Sequence, residues 1–236
     1  RCGAGVREQW GQEGNCRLAQ ASINIFEHLE DELEYGYDIE FKQKGYLMLA
    51  HTEKEWDQFR KNVKLQNSLG IPSKALTPEE ARELVPALNT EDMFGATYNK
   101  RDGHANPFHV TRAYLTAAER LGASLHFFTE VTGINVSKGT VRGVTTTKGD
   151  VDSPVVVNAA GPWAAQAGAM AGLELPLYTQ RHQILVTEPV GWLLDPMIMS
   201  FSIGIYCQQT PHGSLIMGIG DPKEPKGYDI GHSWDF

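Results

Sequence analysis

The residue best suited to bind a small anion is Arg7, in the stretch RCGAGVREQWG at residues 1–11. A guanidinium offers two parallel donors to a carboxylate, and the surrounding Gly3, Gly5 and Gly11 let the backbone approach a ligand closely. A surface arginine paired with Glu8 or Glu13 is the alternative that these residues leave open. A second stretch, PVVVNAAGPW at residues 154–163, ends an apolar run in small residues. Ala159, Ala160 and Gly161 leave almost no side chain between the backbone and whatever lies against it, so this turn suits a phosphate or a flat cofactor, or else a close strand-to-helix crossing. Tyr46 and Tyr206 lie in strand-like runs, where they would cap a substrate pocket or fill a core.

Other chemistries find little support. Cys2, Cys16 and Cys207 are an odd number without CxxC spacing, which argues against a zinc site and a disulfide framework and fits a reducing, cytoplasmic compartment. His104, His109 and His182 lack metal-ligand spacing, and no GxSxG accompanies the scattered Ser, His and Asp residues. Acidic residues outnumber basic ones 29 to 21, and no Lys/Arg run builds the field that a nucleic acid or an anionic membrane would need. No apolar stretch approaches the length of a membrane span.

The elements that must position these residues are legible in outline. Asn15 is placed to cap a helix over 16–35, with Leu18, Ser22, Ile25, Leu29 and Leu33 on one face. Ile39 to Phe41, a Lys44-Gly45 turn and Tyr46 to Ala50 read as a β-hairpin. Thr52 with Glu55, and Thr77 with Glu80, are capping boxes for two further helices, the first ended by Gly70 and the second by Pro86. Phe94 to Tyr98 reads as a strand, Asp102-Gly103 as a turn, and Pro107 as the start of a helix closed by Gly122. Strands are then expected at 124–128, 133–136, 141–146 and 151–157, punctuated by Lys138-Gly139 and Lys148-Gly149. A helix at 163–171 and strands at 177–187, 197–201, 203–209 and 215–218 complete the chain, and the tail reads as loop.

RCGAGVREQWG with its long helix, GYLMLA with a capped helix, DGHANPFHVTRAY, and VVVNAAGPWA with RHQILVTEP together resemble the flavin-dependent amine oxidoreductases of the D-amino-acid oxidase superfamily. The likeness is closest to the group of sarcosine oxidase beta subunit, dimethylglycine dehydrogenase and proline dehydrogenase beta subunit, and it covers nearly the whole chain. Members of that family open with a strand and a GxGxxG turn that holds the FAD pyrophosphate. Here the nearest approach, Gly3-Ala-Gly5-Val-Arg-Glu8, lacks the third glycine, and the family's closing glycine-rich segment does not precede Phe236. The chain is therefore expected to be the middle of a longer flavoprotein.

The resemblance implies an α+β fold: a large mixed, mainly antiparallel sheet with flanking helices, plus an incomplete FAD-binding domain. Residues 1–36 and 123–172 are assigned to the FAD side, and 37–122 and 173–236 to the substrate side. Arg1, Cys2, Gly3, Ala4, Gly5 and Val6 would run beside the flavin, Val131 would meet the adenine, and Ala159, Ala160, Gly161 and Trp163 would back the cofactor. Arg7 would clamp the carboxylate of a small amino acid, with Tyr46 and Tyr206 capping its pocket. The implied reaction is hydride transfer to FAD from a substrate of the sarcosine, dimethylglycine or proline type, with partner subunits in the whole enzyme. FAD is expected to be absent or weakly held in this stretch alone, which is then inactive. The rival expectations are a noncatalytic binding or subunit-assembly module, and a glycerol-3-phosphate or 2-hydroxy-acid dehydrogenase of the same superfamily.

Overall fold

The computed structural model describes residues 3–221, 223–228 and 231. In chain order its elements are β1 (Gly5–Val6), α1 (Glu13–Glu32), β2 (Tyr46–Ala50), α2 (Glu53–Ser68), β3 (Lys74–Leu76), α3 (Pro78–Leu84), β4 (Gly95–Asn99), β5 (Gly103–His104) and α4 (Pro107–Arg120). There follow β6 (Val131–Ser137), β7 (Thr140–Thr146), β8 (Gly149–Asp152), a short 3-10 turn (Gly161–Trp163), α5 (Ala164–Met170), β9 (Leu185–Pro189), β10 (Met197–Ser200), β11 (Ile205–Gln209) and β12 (Ser214–Ile219). The chain divides into two units, residues up to 123 with 184–220, and residues 124–183 with 221 onward.

The first unit is built on a seven-stranded sheet in the order β3-β4-β2-β10-β11-β12-β9, antiparallel throughout except where β2 runs parallel to β10. All five residues of β2 are buried, because both of its edges are paired and both of its faces are covered. Leu47 and Leu49 point to one side, into a core with Leu76, Ala81, Val85, Ala96 and Leu194. Met48 and Ala50 point to the other and meet Phe59 and Trp56 of α2. A third cluster joins α1 to α4 through Leu29, Tyr35, Ile39 and Ala113.

Both threonine caps form: Thr52 Oγ1 accepts from Glu55 N at 3.2 Å, and Thr77 with Glu80 makes the reciprocal box. Gly70 and Gly122 close α2 and α4 with φ of +83° and +93°, conformations that favour glycine. The start of α1 differs from expectation. The helix begins at Glu13 on Gln12, with Cys16 N bonded to Gln12 O at 3.0 Å, so Asn15 lies inside it. Its buried face is Cys16, Ile23 and Leu29, and Leu18 is left 69% exposed.

The expected hairpin does not form. β4 and β10 already occupy both edges of β2, so residues 39–44 have no ladder to join; Ile39 packs into the α1–α4 cluster, and Lys42 makes a single bridge to His104. Residues 124–128 are likewise not a strand, and Phe128 is 97% exposed. The strand expected from Leu177 is confined to β9, while Thr179, Gln180 and Arg181 bond side chains and backbone to Glu224 and Gly227.

The second unit carries the antiparallel meander β6-β7-β8, turned at Lys138-Gly139 with both residues at positive φ, the geometry that a two-residue hairpin loop requires. α5 packs on β6. The strand expected to continue through Val155–Val157 stops at Asp152, where the Ser153 hydroxyl bonds Val155 O at 2.7 Å and turns the chain. Among the described residues no strand pairs with 154–160, and Val155 and Val157 are 70% and 83% exposed.

One polar network fastens the first residues to the sheet. Asp102, fully buried, accepts from Glu8 N at 2.8 Å and from Gln9 Nε2 at 2.8 Å, while Gln9 Nε2 also reaches Tyr46 O at 3.0 Å. Asn99 Nδ2 bridges Glu8 Oε1 at 2.9 Å and Asp102 Oδ1 at 3.0 Å, and Arg101 stands 3.6 Å from Glu8 Oε2. Burial pushes the Asp102 carboxyl up to about 7, against the pull of the donated hydrogen bonds and with the help of the neighbouring Glu8 carboxyl. The fold thus favours neutral Asp102. Its contribution to stability is full below the unfolded-chain value of 3.8 and is lost as pH rises through about 7. Asp102→Asn is expected to remove that loss: urea unfolding of the variant should show a flatter pH dependence between those limits than the parent, and equal slopes would refute the assignment. Asp102→Ala, which strands the donors of Glu8 and Gln9, is expected to cost ~3 kcal/mol or more in the same assay.

Candidate functional site

The loop pinned by Asp102 runs across one face of the large sheet. Register places Met48 beside Met199 and Met199 beside Tyr206, so these side chains share that face, with Tyr46 one step along β2 beside Met197. Gly5 passes directly over this row. A Cβ there would stand 1.8 Å from the Tyr46 hydroxyl and 3.0 Å from Met197 Sδ, so glycine at this position is required by packing within the protein. β1 is held from the other side by β5, with Gly5 opposite His104.

Two residues further on, Arg7 turns toward the sheet. Its Nη1 donates to Met199 Sδ at 3.0 Å, and its guanidinium lies 4.2 Å from the centre of the Trp10 ring and 5.6 Å from that of Phe201. Arg7 Nε is buried with no hydrogen-bond partner. Neither acid that could have neutralised it does so: Glu8 is engaged by Asn99 and Arg101, and Glu13 pairs with Arg17 at 2.8 Å. Among the described residues Arg7 has no carboxylate partner, and burial lowers its pKa below the ordinary arginine value. It faces a cleft of about 510 Å³ lined also by Gly5, Val6, Trp10, Leu18 and Tyr46. A desolvated guanidinium held by a thioether and an aromatic ring keeps its strong donors for an incoming anion.

Tyr46 and Arg7 therefore meet in one cleft, and burial drives the Tyr46 phenol up to about 12, so it stays a neutral hydrogen-bonding group. Tyr206 lies on the same face two strands away, over Gly218, and is not among the residues lining the cleft; burial raises its pKa too. Gly3 and Ala4 lead into the site, Ala4 in the left-handed region at φ +47°. Arg1 and Cys2 lie outside the described residues.

Val131, Ala159, Ala160, Gly161 and Trp163 belong to the second unit. Val131 opens β6 opposite Thr146 and is 40% exposed. The turn at 158–164 is shaped by Asn158, whose amide nitrogen donates to Ala164 O at 2.8 Å and whose oxygen accepts from Ala160 N at 3.2 Å. Gly161 has φ of +53°, and a Cβ built on it would meet nothing within 4 Å. Trp163 is 47% exposed. At Gly161 no close crossing excludes a side chain, and Ala159 is exposed while Ala160 is half-buried. Exposed backbone beside an exposed indole offers a surface on which a flat group could lie.

The histidines do other work. His109 Nδ1 shares a 2.9 Å hydrogen bond with the Tyr35 hydroxyl, and burial lowers the His104 pKa. The residues that sequence reasoning missed are Met199, Trp10, Gln9 and Asp102. Asp102-Gly103 carried only a turn signal, and nothing in local spacing ties it to Glu8, 94 residues away.

Comparison with known proteins identifies the family. The family described as FAD dependent oxidoreductase matches residues 1–235. Sarcosine oxidase subunit beta of Arthrobacter sp is 31% identical over 220 residues, 91% of this chain and 54% of that protein. Dimethylglycine dehydrogenase of Rattus norvegicus mitochondria is 34% identical over 208 residues, 86% of this chain and 24% of that protein. The solved structure of L-proline dehydrogenase from P. horikoshii superposes with a TM-score of 0.90 at 37% identity, covering 100% of this chain and 63% of that one. The chain thus spans about half the length, or less, of the curated relatives it matches. The mixed, mainly antiparallel sheet with flanking helices is the fold of these neighbours, and the chain belongs to the FAD-dependent oxidoreductase family.

Proposed function

We propose that the chain provides the substrate-recognition face of a flavin-dependent oxidoreductase acting on a small secondary or α-amino acid of the sarcosine, dimethylglycine or proline type. The observation that carries this reading is the half-buried Arg7 guanidinium, its Nε unpartnered, facing a cleft and without a carboxylate partner among the described residues. A substrate carboxylate would supply the acceptors and counter-charge that Arg7 lacks, and the fixed Arg7 then sets where the substrate's α-carbon stands. Trp10 and Leu18 give the open cleft apolar surface, and neutral Tyr46 borders the bound molecule without competing for Arg7 as an anion. FAD, when bound, supplies the two-electron acceptor for oxidation of the substrate's carbon–nitrogen bond.

The residues proposed to hold FAD are Arg1 and Cys2, which lie outside the described residues, with Gly3, Ala4, Gly5, Val6, Val131, Ala159, Ala160, Gly161 and Trp163. Residues 1–36 and 123–172 are assigned to the cofactor side on the same basis. The support is the open shelf at Ala159–Gly161 beside Trp163 and the family match. One relative is a beta subunit by name, which supports a partner subunit for the whole enzyme. Free thiols at Cys16 and Cys207 support a reducing compartment, taken to be the cytoplasm.

Full-length protein loaded with FAD should lose its oxidised-flavin colour when mixed anaerobically with N-methylglycine or proline. Arg7→Met should raise the KM for that substrate by about 10- to 100-fold, the worth of hydrogen bonds to a charged group. Arg7→Lys should recover only part of the loss, because a point charge cannot make the two-pronged contact. Absence of bleaching by any small amino acid would favour the noncatalytic assembly module instead, and bleaching by 2-hydroxy acids alone would favour that branch of the superfamily. The 236 residues by themselves are expected to bind FAD weakly, on the ground that the fingerprint at Gly3–Glu8 is incomplete; tight stoichiometric uptake in a visible-absorbance titration would contradict that.

A further inference from the structure

Two consecutive glutamines end β11, and the structure uses them differently. Gln209 is fully employed: its Nε2 donates to Gly191 O and Gly213 O, both at 3.0 Å, and its Oε1 accepts from Leu193 N at 2.8 Å and Leu194 N at 3.3 Å. That is what a structural glutamine looks like. Gln208, only 4% exposed, alternates to the opposite face, and its Oε1 is buried with no hydrogen-bond partner. A buried acceptor left without a donor is costly, and a donor on a bound ligand is one way that the cost is met.

Its position gives that donor an identity. Gln208 is on the same side of the sheet as Tyr206, two residues along β11, and Tyr206 stands beside Met199, the sulfur partner of Arg7. Gln208 and Met199 are thus diagonal neighbours on adjacent strands, a spacing of about 7–8 Å between side-chain origins. The Gln208 oxygen is turned up against the loop that carries Arg7, since a Cβ on Gly3 would lie 3.6 Å from it. The pairing is complementary: Arg7 has an unused donor at Nε, and Gln208 an unused acceptor at Oε1. Gln208 does not itself line the cleft that Arg7 faces, but a small molecule bearing a carboxylate and an N–H on the neighbouring carbon carries the acceptor and the donor that the two lack.

We propose that Gln208 is a specificity-determining residue that accepts a hydrogen bond from the α-amine of the amino acid whose carboxylate Arg7 holds. This rests on the reading of Arg7 as the carboxylate clamp and extends it to the other end of the substrate. Gln208 would then select ligands with a donor at the α-position over isosteres without one.

The test is calorimetric binding to full-length, FAD-loaded protein of two probes, N-methylglycine and methoxyacetate, which has an ether oxygen in place of the amine. The parent should bind N-methylglycine at least about tenfold more tightly, the worth of one charge-assisted hydrogen bond. Gln208→Leu, apolar and without an acceptor, should bring the ratio near one by weakening N-methylglycine alone. Gln208→Glu, which restores an acceptor, should keep the preference. A ratio unchanged in Gln208→Leu, or equal weakening of both probes, would overturn the proposal. The oxidation reading has its own readout in the same samples: if the probes bind with the expected ratio and N-methylglycine leaves the flavin oxidised, amine recognition stands and oxidation falls. If neither probe binds the parent, the Arg7 clamp and the role of Gln208 fall together.

Discussion

The arrangement of the first unit depends on a carboxylic acid that water cannot reach. Asp102 collects the backbone N–H of Glu8 and the side chain of Gln9, and through Gln9 the carbonyl of Tyr46, so three segments distant in sequence are tied at one buried point. The loop before α1 has little apolar surface of its own and a two-residue strand, too little to fix its path by burial. Hydrogen bonds to a desolvated group do that instead, and such bonds are directional and intolerant of slack. Because the tie falls on the two residues after Arg7, it sets the direction from which the guanidinium meets the sheet.

The sheet provides the surface that this direction needs. Its strand order puts β2 at the junction with β10, and the residues on the loop-facing side are thioethers and phenols: Met48, Met197, Met199, Tyr46 and Tyr206. These groups are soft and neutral in the physiological range, so they support a cation without quenching it. The opposite face, built from Leu47, Leu49 and their aliphatic neighbours, carries the packing. Stability and recognition are thereby separated by the two-residue period of a strand.

How much of this could be read in advance follows from the range of each interaction. The helix caps at Thr52 and Thr77, the glycine stops at Gly70 and Gly122, and the Lys138-Gly139 turn are local devices, and all stand where the sequence places them. The hairpin at 39–50 failed because pairing is decided by competition among strands, and β2 found better partners in β4 and β10. Val155–Val157 has strand composition but no described partner, and composition cannot supply one. At the site, Arg7 was legible from its chemistry, yet the fate of Glu8 and Glu13, which decides whether it is free, depended on Asn99, Arg101 and Arg17. Asp102 was invisible for the same reason: its partners are far away along the chain.

Gly5 locks the loop against β2. The space that its missing side chain leaves is filled by the Tyr46 hydroxyl, so the loop and strand mesh like a tooth and a notch. A slip of the loop by one residue would bring the Cβ of Ala4 or Val6 onto that oxygen, which makes the loop's travel stepwise and leaves it no small adjustments. The reach of Arg7 is therefore set from two residues away, and a shorter cation at position 7 could not be rescued by the loop sliding forward to meet its ligand.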